Sequence, residues 1–182
     1  MELILASNSP RRKQILTEAG FNFTIIPSNV NEPKNTNMPP DKYAESLAEL
    51  KATDVFSKQG NVVLGADTIV YLDGIILGKP KDKEDALRTL KLLSGKTHIV
   101  CTGFAIISEN NKIISNEKTY VTFNELSDTI INDYVNSGLC MDKAGSYGIQ
   151  DGYPLVKEIK GDYKNVVGLP ISKIKGILKE LL

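Results

Sequence analysis

The chain has 182 residues, 41% of them hydrophobic and 24% charged, an ordinary globular composition with enough apolar material for one compact core. Lysine plus arginine and aspartate plus glutamate number 22 each, so no global field draws the protein to nucleic acid or to an anionic membrane surface. No apolar stretch approaches a membrane span and no signal core follows Met1, so a single cytoplasmic domain over 1–182 is expected. Cys101 and Cys140, far apart and outside any C-x-x-C pair, offer neither a disulfide framework nor a zinc site. Any anion site must therefore be a local concentration of charge.

The first candidate lies at the start of the chain. Leu3-Ile4-Leu5-Ala6 has the character of a buried strand, and it breaks into Ser7-Asn8-Ser9-Pro10-Arg11-Arg12-Lys13. Ser9 is placed to cap a helix, Pro10 to open it, Ile15, Leu16 and Ala19 to form its packed face, and Gly20 to end it. Such a turn aims free backbone N–H groups, the positive end of a helix dipole and Arg11 and Arg12 at one spot suited to a triphosphate. A solvated basic turn is the alternative. Cations at a helix N-terminus oppose the dipole by about 0.3–1 kcal/mol each, which makes an anion the better account of this pair.

Phe21 to Pro27 is predicted as a second strand, followed by a long polar loop from Ser28 to Pro40 that carries Glu32 near its start. A helix is predicted from Asp41 to about Lys58, with Ala44, Leu47, Ala48 and Val55 on one stripe. Lys51 falls on that stripe, either snorkelling to water or meeting an anion inside. Asn61 to Leu72 reads as a strand turning at Asp73-Gly74 into Ile75-Ile76-Leu77. Within it, Asp67 follows Gly65-Ala66, where a carboxylate needs a lysine, a metal or turn amides to satisfy it.

Gly74 to Lys79 superficially resembles a P-loop. One intervening residue is missing and Pro80 replaces the magnesium-binding hydroxyl, so a Walker-type NTPase is rejected while Lys79 remains a point charge for phosphate. Asp82 should cap a helix to Leu93, and Thr97–Ser108 and Ile113–Phe123 should pair as antiparallel strands. His98, the single histidine, is expected as a packed strand residue rather than a base. Ser127 starts a short helix ending at Gly138, and the last helix, from Ile171, carries Ile171, Ile174, Ile177, Leu178 and Leu181 on one stripe. Between them, Met141 to Gln150 shows no period. It is either a surface connection or a loop approaching a ligand, with Gln150 offering donor and acceptor to a pyrimidine edge. Strands and helices mix without strict βαβ alternation, which predicts an α/β fold on a mixed sheet.

Taken together, Leu-Ala-Ser7-Asn-Ser9-Pro-Arg11-Arg12, Glu32, Lys51-Ala52, Gly65-Ala-Asp67-Thr68, Leu77-Gly-Lys79-Pro80, Ser94-Gly95-Lys-Thr-His98, Asp142-Lys143-Ala-Gly-Ser-Tyr-Gly-Ile-Gln150 and Val167-Gly-Leu-Pro170 resemble the Maf family of nucleotide pyrophosphatases over essentially the whole chain. Gly-Ala-Asp67-Thr68 with Tyr-Gly-Ile-Gln150 is similar to the branch that hydrolyses dTTP and UTP rather than 7-methyl-GTP. Many relatives have Gly after the residue matching Gln150, and this chain has Asp151.

The resemblance implies an inosine-triphosphatase-like (Maf/Ham1) fold, an elongated mixed sheet wrapped by helices with the site in a cleft between two lobes. It also implies a homodimer and Mg2+ or Mn2+. Ser7, Arg11, Arg12, Lys51, Thr68, Lys79, Asp142, Lys143 and Gln150 are then expected to bind substrate. Glu32 and Asp67 are expected to hold the metal, and Asp67, Lys79 and Arg12 to act in catalysis, Asp67 as proton acceptor from water, as metal ligand or as both. The alternative function is the one the family was named for, a nucleotide-binding regulator of septum formation with little or no hydrolysis.

Overall fold

The computed structural model describes residues 1–34 and 37–182, so Asn35 and Thr36 of the long polar loop lie outside the described residues. In chain order the elements are β1 (Leu3–Leu5), α1 (Pro10–Glu18), β2 (Phe23–Ile25), α2 (Pro40–Gln59), β3 (Val62–Leu72), β4 (Ile75–Leu77), α3 (Lys83–Leu93), β5 (Thr97–Ile107), β6 (Lys112–Phe123), α4 (Asp128–Ser137), a 3-10 turn at Ala144–Ser146, β7 (Val156–Lys160), α5 (Tyr163–Val167) and α6 (Ile171–Leu181). The strands form a seven-stranded sheet in the order β2-β1-β3-β5-β6-β7, with β4 paired to β3. β1 runs parallel to β2 and β3, whereas β4 and β7 pair antiparallel to β3 and β6. The mixed α/β fold expected from the sequence is what forms.

Two compact units divide the chain. The first comprises Met1–Thr68, Cys101–Glu117 and Lys164–Leu182, and the second Ile69–Val100 and Lys118–Tyr163. In the first unit the period-two alternation of β1 and β3 sends neighbouring residues to opposite layers. Leu3, Leu5, Val62 and Leu64 pack with Ile15 and Leu16 of α1 and Ile174 and Leu178 of α6. Ile4, Ala6 and Val63 face Ala48, Ala52 and Val55 of α2.

Two glycines set how closely α2 lies on the sheet. A Cβ on Gly65 would stand 2.5 Å from the Ala48 carbonyl oxygen, and one on Gly103 2.3 Å from that of Ala44. Ala44, Ala48 and Ala52 form the matching small-residue face. α1 is capped as expected: the Ser9 hydroxyl accepts from the Arg12 amide, and Pro10 opens the helix.

In the second unit, Asp73 and Gly74, both with positive φ, close the β3–β4 hairpin that Asp-Gly signals. α3 and α4, capped by Asp82 and Ser127, pack together and bury Leu90, Leu93, Ile131, Tyr134 and Val135. β7 and α5 were not read from the sequence. β7 exposes part of each face with no apolar run to mark it, and α5 spans only five residues.

Candidate active site

The candidate groups of the first unit gather past the carboxyl end of β1, where open parallel sheets bind ligands. β1 ends at Leu5, opposite Leu64 of β3. β3 continues to Asp67 and Thr68 beyond that pairing, while Ser7 and the first turn of α1 follow directly from β1. Close seating of α2 on Gly65 then carries Lys51, next to Ala52, to the same place.

Lys51 is the centre of the arrangement. Its Nζ lies 2.5 Å from Asp67 Oδ1 and 2.8 Å from Glu32 Oε1, and the Lys51 and Asp67 side chains are each only 15% exposed. Burial costs a charge its hydration, so this lysine and its two acids stabilise one another only as a set. The polar stretch that carries Glu32 is pinned to α2 on both sides, by the Asn29 N–H donating to Asp54 at 3.1 Å and by the Tyr43 hydroxyl donating to the Pro33 carbonyl at 2.8 Å. Neither Asp54 nor Tyr43 carried a signal in the sequence, because both work through backbone partners in a segment without periodicity.

Arg12 is held as firmly. Nε donates to the Gly168 carbonyl at 2.8 Å, one Nη to Ser7 Oγ at 3.2 Å and the other to Thr68 Oγ1 at 3.1 Å. Thr68 Oγ1 is 2.8 Å from Thr102 Oγ1, and Thr102 donates to the Asn165 carbonyl at 3.0 Å. Burial pushes the Arg12 pKa down and the Asp67 carboxylate pushes it back, while the guanidinium stays a cation. Three of its five N–H groups are thereby spent on protein oxygens. Ser7 Oγ accepts from both Arg12 and the Ser9 amide, which leaves its own proton to donate outward. Arg11 is half-buried in the same turn. Thr102 and the Gly168 carbonyl were missed by sequence reasoning. The Val167-Gly-Leu-Pro170 motif was the available signal for the second.

Lys79, Asp142, Lys143 and Gln150 belong to the second unit. Lys79 is exposed at the end of β4, where the preceding Gly78 carbonyl accepts the Gly145 N–H at 3.2 Å and so joins the β4 end to the 142–150 loop. Gly145, at φ +69°, lies on Val70 so tightly that a Cβ would come within 2.8 Å of its side chain. Gln150 is exposed. Lys143 is not: its ammonium meets Asp142 at 2.9 Å, Asp151 at 3.6 Å and the Leu139 carbonyl. His98 is buried as expected, with Nε2 2.7 Å from the Tyr147 hydroxyl and its ring edge-on to Phe123.

The family model described as Maf-like protein matches residues 2–181. The chain belongs to the Maf family. Over 180 residues it is 51% identical to a dTTP/UTP pyrophosphatase of Bacillus pumilus (strain SAFR-032), covering 98% of this chain and 95% of the relative. A dTTP/UTP pyrophosphatase of Thermococcus gammatolerans (strain DSM 15229 / JCM 11827 / EJ3) is 49% identical over 173 residues, 94% of this chain and 92% of the relative. Among solved structures, a HAM1 protein from Coxiella burnetii superposes with a TM-score of 0.53 at 15% identity, over 99% of each chain, a likeness of fold.

A divalent ion is implied for Maf proteins, and the donor set here suits one. Among the described residues no group of three or more His, Cys, Asp or Glu gathers. Glu32 and Asp67 nonetheless aim two hard carboxylates at a single cation, Lys51. Mg2+ is commonly bound through one or two carboxylates, with water and substrate phosphates completing the shell, so Glu32 and Asp67 fit Mg2+ or Mn2+.

Proposed function

We propose that this chain is a nucleoside triphosphate pyrophosphatase that hydrolyses dTTP and UTP to the monophosphate and pyrophosphate. The observation that carries the proposal is the Lys51 ammonium shared by Asp67 and Glu32, beside an arginine fixed by three protein oxygens. Water attacks the α-phosphorus, the bond from that atom to the bridging oxygen breaks, and the electron pair leaves with pyrophosphate. In this reading Asp67 takes the water's proton, and Lys51, Arg11, Arg12 and the Ser7 hydroxyl bind phosphate oxygens as negative charge shifts onto them. A divalent ion held by Glu32 and Asp67 would add charge neutralisation to the triphosphate.

Lys79 is assigned to phosphate, Thr68 and Asp142 to substrate binding, and Gln150 to the base. The names of the Maf relatives favour hydrolysis over a purely regulatory role in septum formation, and Asp67 gives the hydrolytic reading a proton acceptor. The resemblance further implies a cytoplasmic homodimer, which sedimentation and fractionation would check. The deciding experiment is product analysis with Mg2+: dTTP and UTP should give monophosphate plus pyrophosphate. Orthophosphate plus diphosphate, or no turnover of any triphosphate, would exclude the proposal.

A further inference from the structure

Tyr134 and Asp151, to which none of the roles above is assigned, belong to a closed polar arrangement. The Tyr134 hydroxyl donates to Asp151 Oδ2 at 2.6 Å and accepts the Gly148 N–H at 2.8 Å, so one buried phenol bridges a side chain and a main-chain group of the same turn. The Asp151 N–H donates to the Gly148 carbonyl at 3.2 Å and closes that turn. Asp151 is 10% exposed and Lys143 11%, with Lys143 Nζ 3.6 Å from Asp151 Oδ2. A Cβ at Gly148 would fall 2.5 Å from the Asp151 carboxylate, so a side chain there would push that carboxylate out of the arrangement. Tyr134 comes from α4, and its ring is fixed by burial and by Tyr153 at 4.8 Å.

We infer that Tyr134, Lys143 and Asp151 form a clasp that fixes the Gly148–Asp151 turn and so orients Gln150, making Asp151 and Lys143 positioning residues of this protein. The turn itself offers little to hold its shape: it is short, opens on Gly148, is followed by Gly152 and is exposed at Gln150, and without side-chain partners it would sample many conformations. The Lys143 ammonium, engaged by two carboxylates and a carbonyl, serves the turn rather than the substrate. The clasp reaches the substrate only through Gln150, so the inference rests on the assignment of Gln150 to the base. Loss of the clasp then reduces substrate affinity more than turnover, because the base is remote from the reacting phosphorus.

The test uses Tyr134→Phe, which keeps the ring and removes the hydroxyl, together with Asp151→Ala and Asp151→Asn. Amide hydrogen exchange over residues 148–151 and steady-state kinetics with UTP are measured on each. Tyr134→Phe and Asp151→Ala should speed exchange at Gly148 about tenfold or more and raise KM several-fold, with a smaller change in kcat. Asp151→Asn, which still accepts from Tyr134, should restore part of both. Unchanged exchange overturns the clasp, and faster exchange with an unchanged KM overturns its link to substrate. A Gln150→Glu protein whose base preference matches the parent, alongside clasp variants with raised KM, would reject the assignment of Gln150 and leave the clasp standing.

Discussion

Lys51 and Asp67 meet at 2.5 Å, with the lysine reaching from the middle of α2 and the aspartate from the stretch of β3 beyond its pairing with β1. The pair exists because Gly65 lets the helix lie against the strand. On this basis Asp67→Asn should preserve the fold and lower kcat by on the order of a hundredfold or more, since proton acceptance and charge organisation matter most in the transition state. Affinity for UTP should fall less than turnover. Steady-state kinetics on a variant with native circular dichroism checks this, and turnover near the parent rate would remove Asp67 from the chemistry.

Gly65→Ala tests the seating of α2 itself. The added methyl meets the Ala48 carbonyl and Ala52, both on the buried face of α2 with no flexible end to yield. Overpacking of this kind costs about 1–3 kcal/mol, and the displaced helix carries Lys51 away from Asp67. Thermal unfolding should show the lower stability and kinetics a loss of kcat. A loss of stability with full activity would separate the two effects.

Arg12 and Lys79 should behave differently although both are assigned to phosphate. Arg12→Ala removes one charged donor from each of the Gly168 carbonyl, Ser7 and Thr68, so stability should fall on the order of 2–3 kcal/mol along with activity, and Arg12→Lys should rescue little because an ammonium lacks the fork. Lys79 is exposed at a strand end, and Lys79→Ala should raise KM for triphosphates with the unfolding midpoint hardly moved. Calorimetry beside kinetics on the two variants reads the contrast. Equal loss of stability in both would contradict it.

His98 gives the protein a pH-dependent stability. Burial pushes its imidazole down to about 4, so the folded chain holds it neutral at pH 7. Unfolded, it titrates near pH 6.5, as model histidines do. Between about 6.5 and 4 the unfolded chain binds the extra proton, so stability rises with pH in that window and is lost as the solution is acidified through it, by up to on the order of 3 kcal/mol. Denaturant unfolding from pH 7 to 4.5 should fall more steeply for the parent than for His98→Gln, whose amide can still meet Tyr147. Parallel profiles would show that His98 does not titrate with unfolding.

Much of this site was legible in the chain because its residues follow local rules. Ser9, Pro10 and Arg12 announce a capped helix after a buried strand, and Lys51 on an apolar stripe required either water or an acid. What stayed hidden depends on long-range closure. Arg12 reaches the Gly168 carbonyl, 156 residues away, and Thr68 meets Thr102, 34 residues on, and a backbone oxygen has no residue type to reveal it. Asp151 stands in the sequence beside Gln150, yet its use required Tyr134, on a helix read only by its two ends. β7 escaped notice because a strand with neither face fully buried lacks clear alternation.

Specificity is the last prediction. A carboxamide at Gln150 can pair with the carbonyl and N3–H of uracil or thymine, while cytosine presents an acceptor at N3 and an amino group at C4. Because the amide can rotate, on the proposed reading a preference for UTP over CTP depends on what orients Gln150, and the clasped turn from Gly148 to Asp151 is the element inferred to do so. Gln150→Glu keeps the length and removes the donor, leaving a base carbonyl unpaired at a cost of about 1–3 kcal/mol, or roughly five- to 150-fold in kcat/KM for UTP and dTTP. CTP, whose amino group can donate to the new carboxylate, should lose less. The ratio of kcat/KM for UTP to that for CTP should therefore fall in the variant, and an unchanged ratio would shift base reading from Gln150 to main-chain groups of the Asp142–Gly148 segment.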